Sequence, residues 1–188
     1  KLAKAQVALA ALLGDEACRA ILGPEAPKSS ISSGDAWSPW SKALLHHGVD
    51  VMVSVSAVVA RASLPKWESS AERDATPRRA VESTELWVAK RIGVRKQLRK
   101  AIERFGDFTH YPAQYGPEAE GAAYAALHAA AAALGADSGN KQTVWEEVEQ
   151  CLAEASVAIG TETVCAALTT LVPSVLGLEL MSFTQQHY

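Results

Sequence analysis

Aromatic side chains make up only 6% of this chain, and it has just two methionines and three cysteines. With so few large rings, its 48% hydrophobic content comes mostly from alanine, leucine and valine, and alanine is the strongest helix former. That much apolar content excludes a disordered chain. The cysteines, Cys18, Cys151 and Cys165, are odd in number and form no CxxC pair. A disulfide framework and a thiolate metal site are therefore not expected. They read as buried free thiols of a reduced compartment, which points to the cytoplasm. On one continuous helix Cys151 and Cys165 would share a face about 21 Å apart, too far to bond. Charge of one sign is lacking too: the net charge is −3, without the positive field that phosphate recognition needs, so nucleic acid is not favoured. HExxH, paired ExxH, GxSxG and a Gly-rich phosphate loop are all missing, so no cofactor or metal is expected. No secretory signal is visible, since Lys1-Leu2-Ala3-Lys4 read as helix interior. The longest apolar run, Val164 to Phe183, is interrupted by Thr169, Thr170, Pro173, Gly177 and Glu179. A spanning helix needs ~20 mostly apolar residues, so this run reads as a buried helix broken near Pro173.

What is present is helical patterning throughout 188 residues, enough for one domain with its own core. Leu2 to Leu13 and a short second helix through Ile21-Leu22, capped by Asp15, form an N-terminal helical pair over 1–23. Residues 24–35 are Pro-, Ser- and Gly-rich and read as a loop. Ser38-Pro39 start a helix with Trp40, Leu44 and Leu45 that ends near Gly48. Over 49–63 two periods compete. Val49, Val51, Val53 and Val55 alternate as in a strand, whereas Met52, Val55, Val59 and Ala60 form a helical stripe. Helical neighbours on both sides favour a buried helix, ended by Pro65. Thr76 caps the next helix, with Pro77 at its first position, to about Arg91. Val94, Leu98, Ile102 and Phe105 line one face of an amphipathic helix over 94–105. An aromatic-rich loop over 106–116 follows. Pro117 opens an Ala-rich helix that ends at Leu134-Gly135 and is apolar nearly all round, hence central. Residues 138–188 form C-terminal helices: one through Val144, Val148, Leu152 and Ala155, ended by Gly160, and another capped by Thr161. The expectation is a single all-α domain over 1–188, a multi-helix bundle or a short α-solenoid.

The best-defined local pattern is Leu64-Pro65-Lys66-Trp67-Glu68, then Asp74, then Pro77-Arg78-Arg79-Ala80-Val81-Glu82, then Trp87. It resembles a family of bacterial, all-helical proteins described as immunity proteins of polymorphic-toxin systems. The family pattern reads roughly L-P-x-W-E-x-x-x-P-x-D-x-R-P-R-x-A-I-E-x-x-x-x-W. This chain is similar to it in register at Leu64, Pro65, Trp67, Glu68, Asp74, Pro77, Arg78, Ala80, Glu82 and Trp87. It departs where Glu72 stands for the proline and Thr76 for the first arginine, and Val81 replaces isoleucine. A looser likeness spans residues 36–134. The resemblance implies a non-catalytic protein that occludes a toxin with a complementary surface. Physically, Arg78 and Glu82 are one helical turn apart and can pair. Glu68 can reach the same guanidinium, and Trp67 and Trp87 can pack on the Ala-rich helix. Trp67, Glu68, Arg78, Glu82 and Trp87 are therefore expected chiefly to fix a helix–loop–helix corner.

A second feature is basic. Lys90, Arg91, Arg95, Lys96, Arg99, Lys100 and Arg104 crowd one stretch, opposed by Glu103 alone. Such a run is ordinarily a solvated face; the sharper reading is a patch that steers an acidic partner. Arg95, Arg99 and Lys100, with Phe108, His110 and Tyr111 of the following loop, are the candidate partner surface. Glu146, Glu147, Glu149 and Glu154 would make the 144–159 helix acidic on its outer side, answering the basic stretch within or between molecules. His46-His47 are adjacent and make no i,i+4 metal pair; His128, amid alanines, reads as a satisfied interior histidine. The leading expectation is a non-catalytic, cytoplasmic protein-binding domain. A scaffold subunit that oligomerises, and a helical enzyme or small-ligand protein with a pocket between Ala-rich helices, are the alternatives.

Overall fold

Alanine decides which helix lies at the centre. The computed structural model describes residues 37, 41, 44–45, 48–71, 74–91, 93–106, 115–164 and 166–168. The expected N-terminal pair, the 24–35 loop, Pro39, Trp40, the His46-His47 pair, Phe108, His110, Tyr111 and the region after 168 lie outside them. Five long helices follow in order: α1 (Val49–Ser70), α2 (Thr76–Lys90), α3 (Arg95–Gly106), α4 (Pro117–Asp137) and α5 (Lys141–Ile159). A short α6 (Thr161–Leu168) leaves α5 at 118°, after Gly160 takes a left-handed φ of 81° that glycine adopts without a Cβ penalty. Cys165 lies outside the described residues. No strand occurs among the described residues.

The fold is all-α. α4 packs against α1, α2, α3 and α5, so it is the axis of a bundle. In a solenoid each unit would touch only its sequence neighbours. Ala119, Ala122, Ala123, Ala125, Ala126, Ala129, Ala130, Ala132 and Ala133 are all buried along it, and their small side chains let neighbours approach closely. The approach is tightest at Gly121, where an added Cβ would stand 2.6 Å from the Glu154 backbone oxygen and 3.2 Å from the Ala158 nitrogen. α4 does not stop at Leu134-Gly135, as its composition suggested, but runs on to Asp137. Gly135 is inside the helix, where Thr143 of α5 needs the room: a Cβ there would lie 3.1 Å from Thr143 Cγ2. Asn140 Oδ1 caps α5 by accepting from the Thr143 N–H.

The ambiguous 49–63 segment is helical because it is buried from every side. Met52 to Ala57 are consecutively buried, which removes the inside/outside alternation on which a half-buried strand depends. Its serines survive burial by donating to carbonyls one turn back: Ser54 to Asp50, Ser56 to Val53 and Ser63 to Ala60, bonds that helical geometry provides. Pro65 does not end this helix; α1 continues to Ser70. Proline removes one backbone donor and crowds the carbonyl four residues back. Here its ring is exposed, while the following turn is pinned by Trp67, fully buried, whose Nε1 donates to the Asp74 carbonyl at 2.9 Å. The start of α2 also differs. Thr76 is already helical, and its backbone N–H donates to Asp74 Oδ1 at 2.8 Å, so Asp74 supplies the carboxylate at that N-terminus. Trp37 is helical and buried, while Ser38, Pro39 and Trp40 lie outside the described residues. Two indoles join residues ahead of α1 to α5: Trp37 Nε1 donates to Ser156 Oγ and Trp145 Nε1 to Ser41 Oγ.

α5 is not acidic on an outer side alone. Glu147 turns towards α4 and meets His128 Nδ1 at 2.7 Å. Glu154 is half-buried on the same seam; burial pushes its carboxyl above the ordinary range, with His128 opposing and Glu120 reinforcing the shift. Cys151 is wholly buried there, its thiol raised by desolvation and lying 3.6 Å from the Ser56 carbonyl.

Two outcomes follow from this seam. Gly121→Ala should destabilise by about 1–3 kcal/mol through overpacking, despite a helix-propensity gain of up to ~1 kcal/mol. Gly135→Ala should cost less, since a threonine side chain can shift where a backbone oxygen cannot; urea denaturation of both checks the ranking. For Glu154, a folded pKa above the unfolded one means ionisation opposes folding as pH rises through that interval. Glu154→Gln should therefore melt higher than the parent at neutral pH, and the difference should vanish once the pH falls below the ordinary carboxylate range. A gap that persists at low pH would contradict the assigned cause.

Candidate partner-docking site

The cations among the described residues divide into two sets. Arg61, on α1, holds Glu85 of α2 with two bonds, Nε to Oε1 at 2.8 Å and Nη2 to Oε2 at 2.6 Å. Lys66 reaches Glu118 at the start of α4. Arg91 stretches back to Asp50 at 2.6 Å while its guanidinium lies 4.6 Å from the Trp87 ring centroid. All of these clasp different helices, although each is at the surface, where ion pairs add little stability singly. Their effect is to fix geometry.

The corner is built in the same way, with one change of partner. Arg78 pairs with Glu68 across the α1–α2 corner at 2.7 Å, not with Glu82 one turn along its own helix. The Glu68 carboxylate holds the Arg78 guanidinium above its ordinary pKa. Trp67 meets Tyr115 edge-on, 5.2 Å between centroids and 74° between planes, so the corner is fastened to the residue just before α4. Trp87 is buried on α2, and its Nε1 has no hydrogen-bond partner among the described residues; the Arg91 cation sits over its ring face. Arg91 itself closes α2 with a left-handed φ of 63°, a conformation a non-glycine residue adopts at some cost.

Among the candidate surface residues, Arg95 belongs to the clasping set. Its Nε is 3.7 Å from Asp137 Oδ2 and its Nη2 donates to Ser138 Oγ at 3.2 Å, tying the start of α3 to the α4–α5 turn. Arg99 and Lys100 are exposed, and neither makes an ion pair or side-chain hydrogen bond among the described residues. Arg79, Lys90 and Lys96, also exposed, and the half-buried Arg104 likewise make none among them. The free cations thus gather on one α2–α3 hairpin, with Lys141 apart on α5. They ride on a firm support: Leu98, Ala101 and Phe105 of α3 are buried against the bundle, as are Ala80, Val81 and Thr84 of α2.

Between these two helices runs an open groove of about 440 Å³, lined by Arg79, Glu82, Ser83 and Leu86 from α2 and by Gln97, Lys100, Ala101 and Arg104 from α3. Each set follows the i, i+3, i+4, i+7 spacing of one helix face. Arg79, Lys100 and Arg104 thus share one groove with the carboxylate of Glu82 and the aliphatic Leu86 and Ala101. The pocket expected between Ala-rich helices is not where this groove lies. Arg79 and Glu82 had been read only as parts of the corner motif, and the matched stripes of α2 and α3 are the signal that joins them to Lys100 and Arg104. Ser83 donates to the Arg79 carbonyl, so its hydroxyl proton is already committed.

The groove offers cations, one carboxylate and an aliphatic floor, without a nucleophile–base pair. Elsewhere among the described residues, no group of three or more His, Cys, Asp and Glu side chains could hold a metal ion. No single helix among them is long and apolar enough to cross a membrane. Comparison with family models, with curated proteins and with solved structures yields no match.

Proposed function

We propose that this chain is a non-catalytic protein-binding domain of the cytoplasm whose α2–α3 hairpin docks an acidic protein partner. The observation that carries this reading is the division of cations. Arg61, Lys66, Arg78, Arg91 and Arg95 each meet a carboxylate within the fold. Arg79, Lys90, Lys96, Arg99, Lys100 and Arg104 meet none among the described residues and share one hairpin. In a chain of net charge −3, a local positive face steers encounter with a complementary surface more than it holds a polyanion. The resemblance of residues 64–87 to toxin-immunity proteins names the kind of partner, a toxin whose surface the hairpin would occlude. Self-association draws less support: the one large apolar side chain exposed among the described residues is Val157, too little for a hydrophobic interface.

The test is capture of the partner from a host lysate by the purified chain, identification by mass spectrometry, and titration of the pair. Reversing Lys96, Arg99 and Lys100 together to Glu should weaken binding by about 100-fold or more, since like charges brought together cost several kcal/mol. The helical circular-dichroism signal should be unchanged. Lys141→Glu, a free cation off the hairpin, should bind as the parent does. Affinity insensitive to the triple reversal and to salt would remove the hairpin as the docking surface.

A further inference from the structure

The free cations of the hairpin are not equivalent. Arg79, Lys100 and Arg104 line the α2–α3 groove, with Arg104 half-buried, while Lys90, Lys96 and Arg99 are exposed and outside its lining. At about 440 Å³ the groove falls within the roughly 300–1,000 Å³ of ligand sites, so it has room for side chains and not only for a single ion. Its three cations stand against one carboxylate, Glu82. That carboxylate is shared. Arg61 and Arg78 are held above the ordinary guanidinium pKa first by their bonded partners, Glu85 and Glu68, and further by Glu82. The lining therefore offsets at most one of its three positive charges, and two are left over beside the aliphatic Leu86 and Ala101. Cations in a cleft act differently from cations on an open face. Low-dielectric walls focus their field, and a pair formed there is screened less by salt. Charges on an open face draw a partner from a distance but gain little once it has arrived.

We infer that the α2–α3 groove holds the acidic partner by receiving two neighbouring carboxylate side chains of it among Arg79, Lys100 and Arg104, while Lys90, Lys96 and Arg99 only steer the encounter. This rests on the reading of the hairpin as a docking surface and assigns holding and steering to different residues. Two carboxylates are what the uncompensated charge of the lining calls for. Guanidinium forks suit them because each can donate two parallel bonds to a carboxylate. The methylenes of a glutamate also cover aliphatic surface such as that of Leu86 and Ala101, which an inorganic anion does not. Nucleic acid fits less well. Glu82 opposes a row of phosphates, and no aromatic side chain lines the groove for bases to stack on.

The intact chain is titrated with four probes: a Gly/Ser peptide with a central Glu-Glu pair, the same peptide with Gln-Gln, inorganic phosphate, and a short single-stranded RNA. Amide shifts of the labelled protein with the Glu-Glu peptide should concentrate on residues 79–86 and 97–104, and the Gln-Gln peptide should give none. Arg79→Gln and Arg104→Gln should each weaken the Glu-Glu peptide by about 10-fold, and Arg79→Lys, which keeps the charge, by less. Replacing Lys90, Lys96 and Arg99 together by Gln should change its affinity by less than about 3-fold at physiological salt. Arg79 is exposed, so its variants should keep the helical circular-dichroism signal and the melting temperature, and their loss of binding is not loss of fold. With the captured partner, Arg79→Gln and Arg104→Gln should speed dissociation by about 10-fold or more. The triple variant should slow association, most at low salt, and leave dissociation unchanged. No shifts with the Glu-Glu peptide, equal binding of the Gln-Gln peptide, tighter binding of phosphate or RNA, or a larger loss from the triple variant than from the groove variants would overturn the proposal. Partner binding lost in the triple variant but kept when Arg79 and Arg104 are changed would leave the docking surface standing and the groove reading refuted. Indifference to both sets would refute the two together.

Discussion

Backbone meets backbone where α5 passes Gly121 of α4, so near that an added Cβ would stand 2.6 Å from the Glu154 carbonyl oxygen. Much else depends on that seam. Helices that close leave no room for large side chains between them, so α4 is lined by alanine and contributes little apolar area per residue. The bulk that fills a core must then come from its neighbours. Met52, Leu64 and Trp67 on α1, Leu98 on α3 and Leu152 on α5 are the large, fully buried side chains that supply it. An alanine axis sheathed by bulkier helices also explains why α1 is buried around so much of its circumference. Its buried polar positions are consequently serines, Ser54, Ser56 and Ser63, which return their hydroxyls to their own backbone and so meet their own donors in an apolar surrounding.

With α1 and α5 packed on one another and on α4, α2 and α3 are left on the flank of the bundle, and their composition follows. Each is apolar on a narrow face and charged elsewhere, α3 most of all. Four ion pairs among the described residues lie at the borders of this flank: Arg61 with Glu85, Arg78 with Glu68, Arg91 with Asp50 and Arg95 with Asp137. Each joins α2 or α3 to a helix of the main body. None is sheltered enough to stabilise much on its own, yet together they set the angle at which the hairpin is held. A rigid platform lowers the ordering cost of association, and that is a better reason for these clasps than stability.

Helix content was legible in the sequence because alanine abundance, glycine stops and apolar stripes all point the same way. The centrality of α4 followed from its being apolar on every side. The failures have local causes. Pro65 reads as a terminator because a sequence displays its missing N–H but not the tryptophan that anchors the turn beyond it. Thr76 and Asp74 are both plausible caps, and only the path of the chain out of the α1–α2 corner chooses between them. Arg78 was matched to Glu82 by spacing along one helix, whereas the corner brings Glu68 closer. Acidic residues of α5 were taken as an outer face since charge usually is, but Glu147 and Glu154 border the seam with α4, where His128 faces them. These are tertiary choices, made by helices that are distant in sequence.

The basic run itself was visible, but a run of charges along a sequence has no single direction. Folding sorts it. Arg91 and Arg95 are engaged as fasteners at the surface, while Lys96, Arg99, Lys100 and Arg104 stay free on the hairpin, joined by Arg79 of α2. Fasteners could not serve a partner without loosening the fold, and free cations contribute no fastening. A surface of like charges at the edge of an otherwise acidic chain costs folding energy through self-repulsion. Carboxylates meet Arg61, Arg78, Arg91 and Arg95. Along the α2–α3 groove Arg79, Lys100 and Arg104 meet none among the described residues, and the field that remains is the part of the molecule best suited to reach beyond it.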